Sequence, residues 1–177
     1  GTLGAGKGTI VDFLVTEKGF VHFSVRAFIA EEIMKRNMKV NRDTLTRVAN
    51  ELRRANSPSY ITDELFFRAL KSGQDAVIES IRTPGEIYSL REKGRFILFA
   101  VDADPEIRFR RIKDRKSETD DISFETFIMN EEREMESRDP FAQNLSKCIE
   151  LADYRFSNNG TIEQLNRQVE EVILSVE

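Results

Sequence analysis

With 177 residues, 40% of them hydrophobic, the chain is long enough for one domain with a sizeable core and too short for two comfortable ones. Its net charge of −4 disfavours nucleic acid as a partner, and its single cysteine, Cys148, excludes an internal disulfide. No apolar run approaches the roughly 18 residues that a membrane span needs, so we expect one cytoplasmic domain over residues 1–177 that binds neither nucleic acid nor membrane.

The chain opens on GTLGAGKGT, residues 1–9, in which Gly1, Gly6 and Lys7 have the G-x-x-x-x-G-K spacing of a phosphate-binding loop. A helix is predicted over 7–18, directly after the loop. Because such a loop normally follows a buried strand, we expect one further strand ahead of Gly1, outside the sequence given.

Apolar stretches then alternate with charged helical stretches, which is typical of a parallel α/β sheet. Strands are predicted at 19–24, 75–80, 95–103 and 154–159, and the third is the most apolar of them. Helices are predicted over 26–37, 43–56, 60–72, 84–93, 105–115, 123–138 and 161–176. With a strand ahead of Gly1, the expected fold is a three-layer α/β P-loop fold with about five parallel strands.

The chemistry of the loop is specific. Backbone N–H groups at Gly4, Ala5 and Gly6 can converge on phosphate oxygens, and Lys7 supplies a point charge to the β- and γ-phosphates. Ser or Thr usually follows the lysine and touches Mg²⁺, but Gly8 stands there and Thr9 comes one place later. The alternative is a glycine-rich turn that only caps a helix, which leaves the lysine and threonine unexplained.

Glu79 stands at the end of the second predicted strand, with Arg82 three residues on. Ligands of open α/β sheets bind beyond the carboxyl ends of the strands. Glu79 could therefore order waters around Mg²⁺, and Arg82 could clamp a substrate phosphate. The alternative is a strand-terminal acid paired with a nearby base. His22, within the first predicted strand, is interpreted as a packing residue.

Arg111 and Arg115 are four residues apart on the helix predicted over 105–115, so they share one helix face. The polar segment 116–121 follows, and the region of about 112–138 is predicted to form a small helical lid. In this position the arginines would neutralise a transferring phosphoryl group. A solvated basic helix face is the alternative.

The GAGKGT form resembles the loop of nucleoside monophosphate kinases, adenylate kinase above all. The resemblance implies a metal held largely through water, with Thr9 near the α-phosphate. It also implies that Arg111 packs on adenine and that Arg115 reaches the phosphates. The segment SNNGTIEQL, 157–165, is similar to one in dephospho-CoA kinases, which places Asn159 and Gly160 beside the adenine; a simple helix cap is the alternative.

Segments along most of the chain, including VDADPEIRFRRIKDR and LADYRFSNNGTIEQL, resemble archaeal adenylate-kinase-related, dephospho-CoA-kinase-like proteins. The resemblance implies ATP and Mg²⁺ as cofactors and phosphoryl transfer to a small nucleotide-like acceptor. Arg26, Arg42 and Arg53 would face the acceptor together with Arg82, although structural ion pairs explain Arg42 and Arg53 equally well. Dephospho-CoA as the acceptor and a non-catalytic, ATP-binding regulatory module are the alternative functions.

Overall fold

The structure is a computed structural model that describes residues 1–115 and 122–176. Its helices are α1 (Lys7–Lys18), α2 (Val25–Lys35), α3 (Arg42–Ala55), α4 (Tyr60–Ser72), α5 (Pro84–Lys93), α6 (Pro105–Arg115), α7 (Phe124–Met135), α8 (Leu145–Glu150) and α9 (Ile162–Val176). None of these is long and apolar enough to cross a membrane. The polar segment 116–121, part of the predicted lid, lies outside the described residues.

Eight of these helices were predicted to within a few residues, and side-chain caps define the starts of several of them. Thr83 accepts a hydrogen bond from the N–H of Glu86, whose carboxylate accepts one from the N–H of Thr83, with Pro84 at the first helical position. Helix α8 was not predicted. It has only six residues, LSKCIE, capped by Asn144, and is too short to show a helical period.

The strands are β1 (Val21–Ser24), β2 (Ala76–Glu79), β3 (Phe99–Asp102) and β4 (Tyr154–Ser157), each within a predicted range. β1 pairs in parallel with β2, and β3 pairs in parallel with β4. Among the described residues the strands therefore form two separate two-stranded sheets, so the parallel pairing is as predicted and a single sheet of about five strands stays a prediction. A fifth strand stays a prediction.

A cavity of about 450 Å³ lies between the two sheets. Its walls include all of β2, residues Phe99 to Val101 of β3, and apolar side chains of α1. The cavity separates β2 from β3, which do not pair with each other. It is mostly apolar, but Lys7, Glu79 and Arg82 line it as well.

Three apolar clusters bury the helices against the strands. One joins α1 and α9 to β3 and β4, and includes Leu14, Val101, Phe156, Leu165 and Val169. A second joins α2, α3 and α4 to β1 and β2, and the third joins α5 and α8 around Leu98. Cys148 lies in the third cluster, and burial raises the pKa of its thiol to about 12.

Arg53 and Glu86 form a buried ion pair between α3 and α5, with side-chain exposures of 1% and 0%. One carboxylate oxygen of Glu86 accepts hydrogen bonds from Nε and Nη2 of Arg53 at 3.2 and 2.8 Å. The other accepts from the backbone N–H groups of Arg82 and Thr83 at 2.7 and 2.9 Å. The pair therefore also fixes the backbone that carries Arg82.

Replacing Glu86 by alanine should lower the free energy of unfolding by about 3–5 kcal/mol, because it leaves the Arg53 charge buried without its partner. Urea denaturation measures the change. Glu92→Ala, at an exposed position on the same helix, is the matched control and should stay within about 0.5 kcal/mol of the wild type. A loss at Glu86 no larger than that of the control would contradict a stabilising role for the pair.

Candidate functional site

At Gly4 and Gly6 the backbone of the glycine-rich loop passes so close to neighbouring groups that a side chain would not fit. Gly4 and Gly6 have φ angles of +77° and +106°, in the left-handed region that favours glycine. A Cβ on Gly4 would lie 2.6 Å from the carbonyl oxygen of Arg108, and one on Gly6 would lie 2.2 Å from Nδ2 of Asn158. Gly6 also stands at the N-cap of α1, where no described side chain accepts from the helix amides. Those amides are available to an anion.

The side chain of Lys7 folds back onto this loop. Its Nζ donates to the carbonyl oxygens of Gly1 and Thr2 at 3.0 and 2.7 Å. Burial, as the largest cause, and the nearby charge of Arg82 lower the pKa of Lys7 to about 8. An anion at the loop would offer the ammonium group a stronger partner than two carbonyls.

Four charged side chains from other parts of the chain shift the pKa of Lys7. Glu79 at the end of β2 and Glu134 on α7 raise its pKa, whereas Arg82 and Arg115 lower it. The predicted residues Lys7, Glu79, Arg82 and Arg115 are thus brought into one electrostatic environment, as the topology of parallel strands requires. Glu134 was missed, because α7 carries several acids and its sequence does not show which of them faces the loop.

Glu79 also faces the neighbouring strand. Its Oε2 lies 3.3 Å from Nε2 of His22, and the two side chains are 24% and 33% exposed. His22 therefore borders the predicted metal-binding carboxylate instead of packing in the core. Thr9 lies half-buried in the first turn of α1, and Gly8 beside it is exposed, with open space where a Cβ would stand.

Arg42 and Arg82 meet across a shared carboxylate. Glu134 Oε1 lies 2.6 Å from Nη2 of Arg42, and its Oε2 lies 2.9 Å from Nη1 of Arg82. Arg42 is the first residue of α3, and Arg82 lies between β2 and α5. Two arginines predicted to face the acceptor are therefore adjacent, and an acid from α7 lies between them.

Arg108 is a structural residue that sequence reasoning missed. It is 2% exposed, donates through Nε to the carbonyl of Ala103 at 2.7 Å, and donates through Nη1 to the carbonyl of Leu3 at 3.4 Å. Both of its Nη groups also bond the carboxylate of Glu131, and its guanidinium lies 5.3 Å from the ring centre of Phe127. Arg108 thus joins the loop, the end of β3 and α7.

Arg111 and Arg115, the two predicted site residues of α6, are placed differently from Arg108. Arg111 is half-buried, and its Nη1 is buried with no hydrogen-bond partner among the described residues. An unused buried donor of this kind is costly unless a ligand accepts from it. Arg115 ends the helix, and its charge contributes to the lowered pKa of Lys7.

The turn after β4 lies against the loop through Asn158, one residue before the predicted pair. Asn158 is 6% exposed, and its Nδ2 donates to the carbonyl of Ala5 at 2.8 Å. Asn159 exchanges two hydrogen bonds with Asp104, at 2.8 and 3.0 Å. A Cβ on Gly160 would lie 1.9 Å from Oε1 of Gln164, within the helix cap.

Two predicted acceptor residues do not join the cluster. Arg53 is buried in the ion pair with Glu86, so its assignment to substrate binding is corrected: 1% exposure leaves no surface for an acceptor. Arg26 is exposed in the first turn of α2, and the structure shows no hydrogen bond or ion pair of its side chain within 1–115 and 122–176.

The residues of the glycine loop and those around it have the chemistry to bind the phosphates of a nucleotide and a hard cation such as Mg²⁺. Two glycine positions leave no room for a Cβ, Lys7 supplies a cation, and the buried Nη1 of Arg111 is an unused donor. Thr9 and Glu79 supply oxygen atoms, the ligand type that Mg²⁺ takes. Within the described parts of the chain, no group of three or more His, Cys, Asp or Glu side chains is placed to hold a metal.

Known proteins resemble this chain along most of its length. The family model described as "AAA domain" matches residues 1–139, and the chain belongs to this family. The UPF0200 protein of Thermococcus kodakarensis is 28% identical, over 98% of this chain and 93% of its own. The UPF0200 protein of Methanococcus vannielii is 27% identical, over 100% of this chain and 96% of its own.

Two crystal structures share the fold. TT1252 from Thermus thermophilus superposes with a TM-score of 0.61 at 20% identity, covering 99% of this chain and 94% of the other. Shikimate kinase from Acinetobacter baumannii, in complex with shikimate, gives a TM-score of 0.58 at 18% identity, with coverages of 100% and 91%. The chain therefore has an α/β P-loop NTPase-like fold.

Binding of ATP without metal should draw protons from solution at about pH 8.5, where more than half of the Lys7 side chains are neutral at a pKa of about 8. The phosphates stabilise the ammonium form and raise this pKa, so binding protonates the neutral fraction. Titration calorimetry in two buffers of different ionisation enthalpy measures the uptake. Lys7→Arg, which stays charged, should bind without uptake, and identical wild-type heats in both buffers would contradict the assignment.

Proposed function

We propose that this protein is an ATP-dependent phosphotransferase that acts on a small nucleotide-like acceptor. The observation that carries the proposal is the geometry of the glycine loop, in which Gly4 and Gly6 leave no room for a Cβ and Lys7 folds back onto the carbonyls of Gly1 and Thr2. A loop that only capped a helix would have no need of a half-buried lysine with charges from other elements near it. Phosphoryl transfer depends mainly on positioning and charge stabilisation, and this arrangement supplies both.

The nucleotide side of the site is formed by the loop, α6 and the turn after β4. The amides around Gly4 to Gly8 and the ammonium group of Lys7 hold the β- and γ-phosphates. Arg111 packs against the base and directs its unused Nη1 towards the nucleotide, and the Asn159–Gly160 turn borders the base. Asn158 supports this turn through its bond to Ala5.

In the transfer step, an acceptor oxygen bonds to the γ-phosphorus while the bond from that phosphorus to the β–γ bridging oxygen breaks, and ADP leaves. Arg115 and Arg82 stabilise the charge on the transferring group. Bound Mg²⁺, with Thr9 and Glu79 near it or its waters, would offset further phosphate charge. Arg42 and Arg82 orient the acceptor from the opposite side, and Arg26 is exposed for an acceptor's outer part.

Two other functions have a specific feature in their favour. Asn158 bonds the carbonyl of Ala5 and so brings the turn after β4 into the site. The segment that contains this turn resembles dephospho-CoA kinases, and this favours dephospho-CoA as the acceptor. The glycine in place of the usual metal-binding hydroxyl, at position 8, favours a regulatory module that binds ATP without transferring phosphate.

Labelled ATP with a panel of nucleoside monophosphates, dephospho-CoA and shikimate tests the proposal. We expect labelled product with one or more nucleoside monophosphates. Label on dephospho-CoA alone would assign the first alternative. Tight ATP binding with no labelled product from the panel would contradict transferase activity and support the regulatory module.

Lys7→Met should reduce the transfer rate by about 100-fold or more, since a charge that acts on the transferring phosphates is lost. Lys71→Met, at an exposed position on α4, is the matched control and should retain the wild-type rate. Equal rates for Lys7→Met and the control would remove the lysine from the mechanism, and the phosphate-loop assignment with it.

A further inference from the structure

Glu134 has an unusual place for a helix carboxylate, since each of its two oxygens bonds a different arginine from a different part of the chain. Arg42 lies 2.6 Å from one oxygen and Arg82 lies 2.9 Å from the other. The side chains of Glu134, Arg82 and Arg42 are 16%, 19% and 31% exposed, so a solute can reach the cluster. The carboxylate of Glu134 therefore bridges two guanidinium groups at the proposed acceptor site.

The charges in this cluster do not balance. Two arginines face one carboxylate, which leaves one positive charge in excess. Each guanidinium has further N–H donors, and within residues 1–115 and 122–176 the structure shows one side-chain hydrogen bond from each arginine, the bond to Glu134. A phosphate monoester has three terminal oxygens and close to two negative charges, so it would satisfy more of these donors than a carboxylate does.

We propose that Glu134 occupies the position of the acceptor's phosphate group, and that a phosphorylated acceptor binds by displacing this carboxylate from Arg42 and Arg82. The inference rests on the proposed function, and it specifies the acceptor as a phosphate monoester. Glu134 is then an internal competitor that neutralises the arginines until the acceptor arrives. The coupling of both Glu134 and Arg82 to Lys7 places this exchange in the electrostatic environment of the phosphate loop.

A second acid on the same helix shows what a purely structural role looks like. Glu131 lies three residues earlier and bonds Arg108 through both oxygens, but Arg108 is buried and also bonds backbone carbonyls. A solute cannot replace Glu131 without reaching a buried group. Glu134 differs because its partners are accessible and retain unused donors.

The test is titration calorimetry of inorganic phosphate with the wild type and with Glu134→Gln, which keeps the shape of the side chain and removes its charge. We expect phosphate to bind about tenfold more tightly to Glu134→Gln, because loss of two partly exposed ion pairs removes a competitor of roughly that strength. Glu132→Gln, at an exposed position on the same helix, is the matched control and should show no gain. The double variant Arg42→Gln/Glu134→Gln should lose the gain, which assigns the phosphate to this cluster and not to the glycine loop.

Unchanged or weaker phosphate binding by a folded Glu134→Gln protein would overturn the inference and leave Glu134 as a structural link. A gain that persists in the double variant would overturn it as well, because the phosphate would then be bound elsewhere. These measurements need neither ATP nor turnover, so they fail or succeed independently of the proposed function. Where transfer is observed, the KM for the phosphorylated acceptor should fall in Glu134→Gln.

Discussion

The arrangement of the site depends on the buried guanidinium of Arg108. This one group bonds the carbonyl of Leu3 in the loop, the carbonyl of Ala103 after β3 and the carboxylate of Glu131 on α7. A guanidinium presents its donors in a fixed plane, so the positions of its three partners are set together. Burial of the charge is tolerated because a carboxylate and two carbonyls compensate for it. The loop is further fixed by the contact of Gly4 with the carbonyl of Arg108 itself.

The loop and the helix boundaries could be predicted because their causes are local. The loop is defined by residues within seven positions of one another, and the start of α5 is defined by Thr83, Pro84 and Glu86. The roles of the arginines could not be predicted in the same way. Arg108, Arg111 and Arg115 follow each other at helical spacing on α6, so the period places all three on related faces. Only the tertiary partners distinguish the buried link from the residues that face the site.

The roles of the arginines on α3 could not be predicted from their spacing either. Arg53 and Arg54 are adjacent in sequence, but Arg53 pairs with Glu86 inside the protein whereas Arg54 pairs with Asp139 at the surface. The acid that pairs with Arg53 lies 33 residues away. Sheet pairing is also non-local. An apolar stretch predicts a strand, but it carries no information on which strand lies beside it, and the structure separates β2 from β3 by a cavity.

The cavity and the site are distinct but connected. The cavity is mostly apolar, and its polar lining includes Lys7, Glu79 and Arg82. Apolar walls exclude water and raise the strength of nearby electrostatic interactions. The same desolvation is the largest cause of the lowered pKa of Lys7. The apolar space therefore contributes to the chemistry of the site without itself offering the polar contacts that a nucleotide needs.

A protein with a net charge of −4 nevertheless concentrates basic groups at this point. Lys7, Arg42, Arg82 and Arg115 would repel one another if no acid lay among them, and Glu79 and Glu134 offset part of that repulsion. The two acids are held in different ways. Glu79 belongs to β2, whose backbone is paired with β1, whereas Glu134 lies one residue before the end of α7 and reaches Arg42 and Arg82 through its side chain. In the proposed exchange, Glu79 stays beside the loop when phosphates bind, and the side chain of Glu134 is displaced. On this proposal, Glu79 serves the cation and Glu134 marks the place of the acceptor.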